Sequence, residues 1–179
     1  MEIIVNKGSS NIVNLDDASL NAVRFNHRNS CVLEVYGTLT TNGCLSGNRC
    51  HTFSVYEGGN LTCGSYSNGQ SNVINVQGGT MTVTGNVIQT KNSKVTVAEG
   101  GTLNVGGKLQ VTDGSTGTLT VDGILSVTDN TTGVETFTVG ATGNVTIVGT
   151  SNKVPTVADG GYAIINGTAY GTAPASDEE

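Results

Sequence analysis

A chain of 179 residues with 36% hydrophobic and only 12% charged residues has the size of one domain, and its 26 Gly against 2 Pro, with no Trp, suit short strands and tight turns better than a helical bundle. The net charge of −6, with eight scattered Lys and Arg, argues against a phosphate-binding surface and so against nucleic acid as a partner. No apolar run is long enough to span a bilayer, so membrane insertion is not expected. The opening MEIIVNKGSS has neither the charged region nor the apolar stretch of a secretory signal; a cytosolic protein, a trimmed leader and another export route each fit that opening.

In chain order, residues 1–30 are expected to form an N-terminal cap. The stretch IVNLDDASLNAVRF has mixed periodicity and reads as an irregular first coil or a short capping helix, in which Asp16 or Asp17 would cap the N-terminus. The next segment holds all four cysteines. Cys31 and Cys50 are 19 residues apart, as are Cys44 and Cys63. In an oxidising compartment Cys31 and Cys50, nearly in phase, are the expected disulfide; Cys44 and Cys63 are the poorer pair, and Cys63 reads as a buried core residue. The paired CxxC spacing of a zinc site is absent and His27 and His51 form no HxxxH, so no metal and no cofactor are expected.

From residue 31 the chain repeats itself. LEVYGTLTTNG, FSVYEGGNLTCG, INVQGGTMTVTG, VTVAEGGTLNVGG, LTVDGILSVTD and FTVGATGNVTIVG share one plan: a strand, a glycine turn and a second strand. The first anchor recurs as Val35, Val55, Val76, Val97, Val121 and Val139, and the second as Leu39, Leu61, Met81, Leu103, Leu125 and Val145. Apolar residues two apart share one face of a strand, so each strand has an inside and an outside. A unit of about 20 residues with so few anchors cannot fold alone, but stacked units form continuous columns. Four are expected: Leu33, Phe53, Ile74, Val95, Leu119, Phe137; the Val series; the Leu and Met series; and Thr41, Cys63, Val83, Val105, Val127, Ile147.

This pattern predicts an all-β fold, a parallel β-solenoid (β-helix) of about seven to eight coils over residues 31–167 with its cap, right-handed because parallel crossovers are so. A third strand per coil is expected at 86–89 and 108–111. An antiparallel sandwich also uses short strands with glycine turns, but its strands need not keep so constant a register. VPTVADGGYAIING reads as one further coil with Val157 in phase, and residues 168–179 as a flexible acidic tail.

EGGTLNV, VQGGTMTVTG and VYEGGNLTCG resemble the passenger repeats of bacterial autotransporters and related β-helical surface adhesins. That resemblance implies an extracellular or cell-surface location and a structural or adhesive role. In architecture alone the chain is also similar to bactofilins, small solenoids that polymerise end to end.

No catalytic constellation emerges. Carboxylates do acid–base work when they converge, whereas Glu34 and Asp122 lie several coils apart and Asp113 and Asp129 fall in turns. The calcium-binding nonapeptide of calcium rolls is absent. The second-strand flanks predict an outward ladder of Thr38, Thr40, Thr62, Thr80, Thr82, Thr102, Asn104 and Thr146, a surface some ice-binding solenoids use and one that exposed strands favour anyway. Asn60, Ile124 and Asn144 interrupt it. Tyr36 and Tyr56 occupy equivalent positions and could stack on a sugar or on each other. The N-x-[ST] sites at Asn60, Asn130, Asn144 and Asn166 are what chance gives so Asn- and Thr-rich a chain.

The expectation is therefore a non-catalytic structural or adhesive solenoid acting through its repeat surface at a bacterial cell surface, with glycans, a host or cell surface, or copies of itself as partners. An end-to-end polymer is the alternative. A carbohydrate-active β-helix and an ice-binding solenoid are weaker alternatives.

Overall fold

A computed structural model describes residues 2–5, 10–13, 22–25, 32–41, 43–47, 51–114 and 116–173, residues 2–25 and 46–47 by backbone alone. Cys31, Cys50, Asp16, Asp17 and residues 174–179 lie outside them. The chain winds as a parallel β-solenoid, and no described residue is helical.

Each of the first six coils lays one strand on each of three sheets. The first coil is β1 (Glu2–Val5), β2 (Ser10–Val13) and β3 (Ala22–Phe25); the second β4 (Val32–Val35), β5 (Thr38–Thr41) and β6 (Cys44–Gly47). The third is β7 (Thr52–Tyr56), β8 (Asn60–Cys63) and β9 (Ser65–Asn68); the fourth β10 (Val73–Gln77), β11 (Thr80–Val83) and β12 (Val87–Gln89). The fifth is β13 (Lys94–Val97), β14 (Thr102–Val105) and β15 (Leu109–Val111); the sixth β16 (Gly117–Val121), β17 (Ile124–Val127) and β18 (Thr131–Thr132). The seventh level has β19 (Val134–Val139) and β20 (Asn144–Ile147), and the eighth β21 (Thr156–Val157) and β22 (Tyr162–Ile165), from which β23 (Thr168–Gly171) turns back. Six complete turns are thus followed by two levels without a third strand, where only a Thr131–Ser151 bridge extends the third sheet.

The expected columns are the observed ones. Leu33, Phe53, Ile74, Val95, Leu119 and Phe137 stand in register, as do the Val series ending at Val157 and the Leu–Met series ending at Ala163. Nearly all are fully buried, forming a narrow interior that runs the length of the stack. The expected third strands are β12 and β15. The earlier third strands, CLSG and SYSN, have no apolar alternation in the sequence, because each has one large apolar residue, Leu45 or Tyr66, both buried.

Two expectations change at the ends. Of the two readings of residues 1–30, the first coil is the one the described strands follow: β1, β2 and β3 pair in parallel with β4, β5 and β6. Thr168–Gly171, expected in the tail, is β23, antiparallel to β22. Asn166 (φ 48°) and Gly167 (φ 74°) make the two-residue turn between them, the left-handed conformations such hairpins require. Tyr170, opposite Ala163, packs on the last core residues.

The glycine pairs hold the corners for two separate reasons. Gly100 has φ 75°, a conformation that side chains resist. A Cβ on Gly101 would lie 2.5 Å from the Val76 carbonyl oxygen one coil below, and Gly59, Gly79, Gly123, Gly143 and Gly161 make similar approaches. Stacking at about 4.8 Å leaves no room there for a methyl group. Gly101→Ala is therefore expected to lower the unfolding free energy by about 1–3 kcal/mol, the usual cost of overpacking, whereas Thr102→Ala on the adjacent outer face should change it by about 0.5 kcal/mol or less; urea titration of both variants checks the contrast.

Candidate functional site

The second sheet presents the most regular outer surface. Its pairing sets Thr38, Asn60, Thr80, Thr102, Ile124, Asn144 and Tyr162 in one column and Thr40, Thr62, Thr82, Asn104, Ser126, Thr146 and Ile164 in another. All eight ladder residues read from the sequence lie in these two columns. Seven levels at about 4.8 Å extend for roughly 30 Å, with the columns about 7 Å apart. No residue in any strand of this sheet is charged, although its outward side chains from Thr38 to Ile164 are partly or fully exposed. The first sheet, by contrast, carries Glu34, Lys94 and Glu135 on described strands. The signal for this uncharged face was legible as the x positions of the second-strand repeat; its continuity required the register.

Glu34 and Asp122 lie four coils apart, on β4 and just after β16. Asp129 accepts a hydrogen bond from the Asn130 N–H at 2.7 Å and so shapes its own turn. Asp113 sits at φ 60° in a turn, and Glu57 and Glu99 flank a shallow corner groove with Gln77, Gly78, Ala98 and Gly100. Among the described residues no three His, Cys, Asp or Glu side chains come close enough to hold a metal ion.

Glu34 instead belongs to the tyrosines. Tyr36 and Tyr56 stack face to face, with centroids 4.5 Å apart and planes 4° from parallel. Tyr56 donates its hydroxyl to Glu34 Oε1 at 3.1 Å, and Tyr36 donates to Oε2 at 3.4 Å. Partial burial, helped by the adjacent Glu34 carboxylate, pushes the Tyr36 phenol up. The ring faces that meet are used by the pair itself, so of the two readings from sequence the structure follows mutual packing. Of the four sequon asparagines, Asn130 is engaged through Oδ1 by Thr150 N and Oγ1.

Register does not stack the two described cysteines on one another. Cys63 stands opposite Val83, whereas Cys44 stands opposite Ser65, past the corner, and both thiols are free. Cys63 is fully buried, as expected, while the Cys31–Cys50 pair falls outside the described residues. Among the buried polar groups that the sequence did not reveal are His51, Asn68, Asn72, Gln89 and Ser93. Most support the corner: Asn72 Oδ1 accepts from the His51 N–H at 2.7 Å, and Ser93 Oγ donates to the Thr90 carbonyl at 2.6 Å. No family model, curated protein or solved structure matches this chain.

Burial pushes the Cys63 thiol up to about 12 from its ordinary value near 9, with Cys44 adding to the shift. Between those values the unfolded chain has lost the proton that the native chain keeps, so stability falls as pH rises through that window and is unaffected below it. The expected slope is about 1.4 kcal/mol per pH unit. Cys63→Val, which reproduces the next coil, should flatten it; urea unfolding at about pH 8 and pH 10 measures the difference.

Proposed function

We propose that this protein is a non-catalytic adhesive or structural solenoid working through the outer face of its second sheet. The observation that carries the reading is the pair of in-register columns, Thr, Asn and Ser at most levels, on a sheet without a charged residue. Such a face offers hydroxyl and carboxamide donors and acceptors at fixed spacing and no charged side chain of its own to pair with an ion, which suits a neutral, hydroxyl-rich partner such as a cell-surface glycan. Location at a bacterial cell surface belongs to the same proposal and rests on the likeness of the repeats to surface adhesins.

The alternatives fare less well on particular residues. Ice recognition favours uninterrupted Thr, and here Asn60, Asn104, Ile124, Ser126, Asn144, Tyr162 and Ile164 break the columns. End-to-end growth needs a parallel strand to add to each sheet, and the antiparallel β23 occupies that edge of the second sheet. Sugar hydrolysis needs converging carboxylates, and Glu34 is held by two phenols.

Retention on insoluble neutral polysaccharides is the test. Binding is expected to persist from about 0.05 to 0.5 M salt, because no charge pair contributes. Thr82→Lys, in the middle of the face, should weaken it by about tenfold or more, whereas Thr96→Lys on the first sheet should leave it unchanged. Equal loss in both variants would reject the second sheet as the binding face. Electron microscopy should show uniform particles; filaments would favour the polymer.

A further inference from the structure

The interior of the third and fourth coils differs from the aliphatic columns around it. Alternation in β9 and β12 turns Tyr66, Asn68, Val87 and Gln89 inward. Tyr66 pairs with Val87 and Ser67 with Ile88, so Gln89 follows directly above Asn68. One coil below, Asn68 pairs with Gly47, which brings no side chain inward; one coil above, Gln89 pairs with the smaller Val111. The column thus has a carboxamide pair where other columns have hydrocarbon, with a gap in the side-chain sequence beneath it.

Tyr66 and Gln89 are 0% exposed and Asn68 is 5% exposed. Tyr66 Oη, both amide atoms of Asn68 and both of Gln89 have no hydrogen-bond partner among the described residues. The nearby Asn72 shows how this chain ordinarily treats a buried carboxamide: its Nδ2 donates to the Gly69 carbonyl at 2.6 Å and its Oδ1 accepts from His51. Burial pushes the Tyr66 phenol well above its usual range, opposed by Asn68 and Gln89, which lie close enough to favour its ionised form, although no contact among the three has the geometry of a hydrogen bond. The group is therefore neutral throughout, and it combines donors with acceptors.

Five buried polar atoms clustered in one place are costly unless something bonds them. A cation would meet N–H and O–H donors, and an anion would meet oxygen lone pairs. Water both donates and accepts, so one small molecule can answer both kinds of atom. We infer that Tyr66, Asn68 and Gln89 form an enclosed site for structural water, with at least one molecule bridging the phenol and the two stacked carboxamides. The site lies beside Phe53, whose ring meets Tyr66 edge to face at 5.2 Å.

Magnetic relaxation dispersion of solvent ¹⁷O on the full chain counts long-lived internal waters. The wild-type protein is expected to show such a population, and Asn68→Val combined with Gln89→Val, which extends the Val111 chemistry downward, should reduce it by at least one molecule. Should that double variant fail to fold, Tyr66→Phe removes only Oη and should shorten the residence time. A crystal structure of the wild-type chain should show water within hydrogen-bond reach of all three side chains. No long-lived water in the wild type, no change in the folded variants, or direct bonds among the three side chains with no density between them would overturn the inference.

Discussion

Everything in this molecule depends on one constraint: each coil must return beneath itself at the spacing of a parallel hydrogen-bonded ladder. Backbone bonds such as Thr80 N–H to the Gly59 carbonyl and Thr102 N–H to the Gly79 carbonyl, both 2.9 Å, continue that ladder through the corners and not only along the strands. A corner that admits this bond also brings the glycine Cα against the carbonyl below. The same closeness that satisfies the backbone forbids a side chain. Glycine at the corner and branched aliphatics along the strand are thus two consequences of one spacing.

Register then sorts chemistry between inside and outside. An inward residue meets its own kind in the coils above and below, so a single exception has few ways to find a partner. Asn72 and Ser93 manage it by standing at a corner, where backbone groups turn toward them. Asn68 and Gln89 stand within strands, where the backbone is already committed to the ladder. Outward residues face no such limit, and the second sheet uses that freedom to keep one uncharged polar character over seven levels. The end of the stack follows the same logic: β23 reverses direction, supplies Tyr170 to cover the last core residues, and gives the edge of the second sheet an antiparallel partner.

Much of this was legible from residues alone where the signal repeats. The four core columns, the glycine corners and the eight ladder positions all recur at nearly constant intervals, so one aligned unit predicts the next. Three features escaped. β6 and β9 were hidden because Leu45 and Tyr66 are single apolar residues among Ser, Gly and Asn. The hairpin has its signal in Asn166-Gly167 between alternating residues, but the acidic composition that follows it reads as a tail. The pairing of Glu34 with both tyrosines brings together residues up to 22 positions apart, and no local pattern encodes it.

The sequence by itself therefore determined the strand period, the coil length and which face of each strand is apolar, because these are one-dimensional properties written in every repeat. The tertiary structure alone decided which polar residues are buried together, that Cys44 and Cys63 do not stack, and how the stack ends. Those outcomes depend on what lies one coil above or below a given side chain, and a single added residue in a turn is enough to change that neighbour.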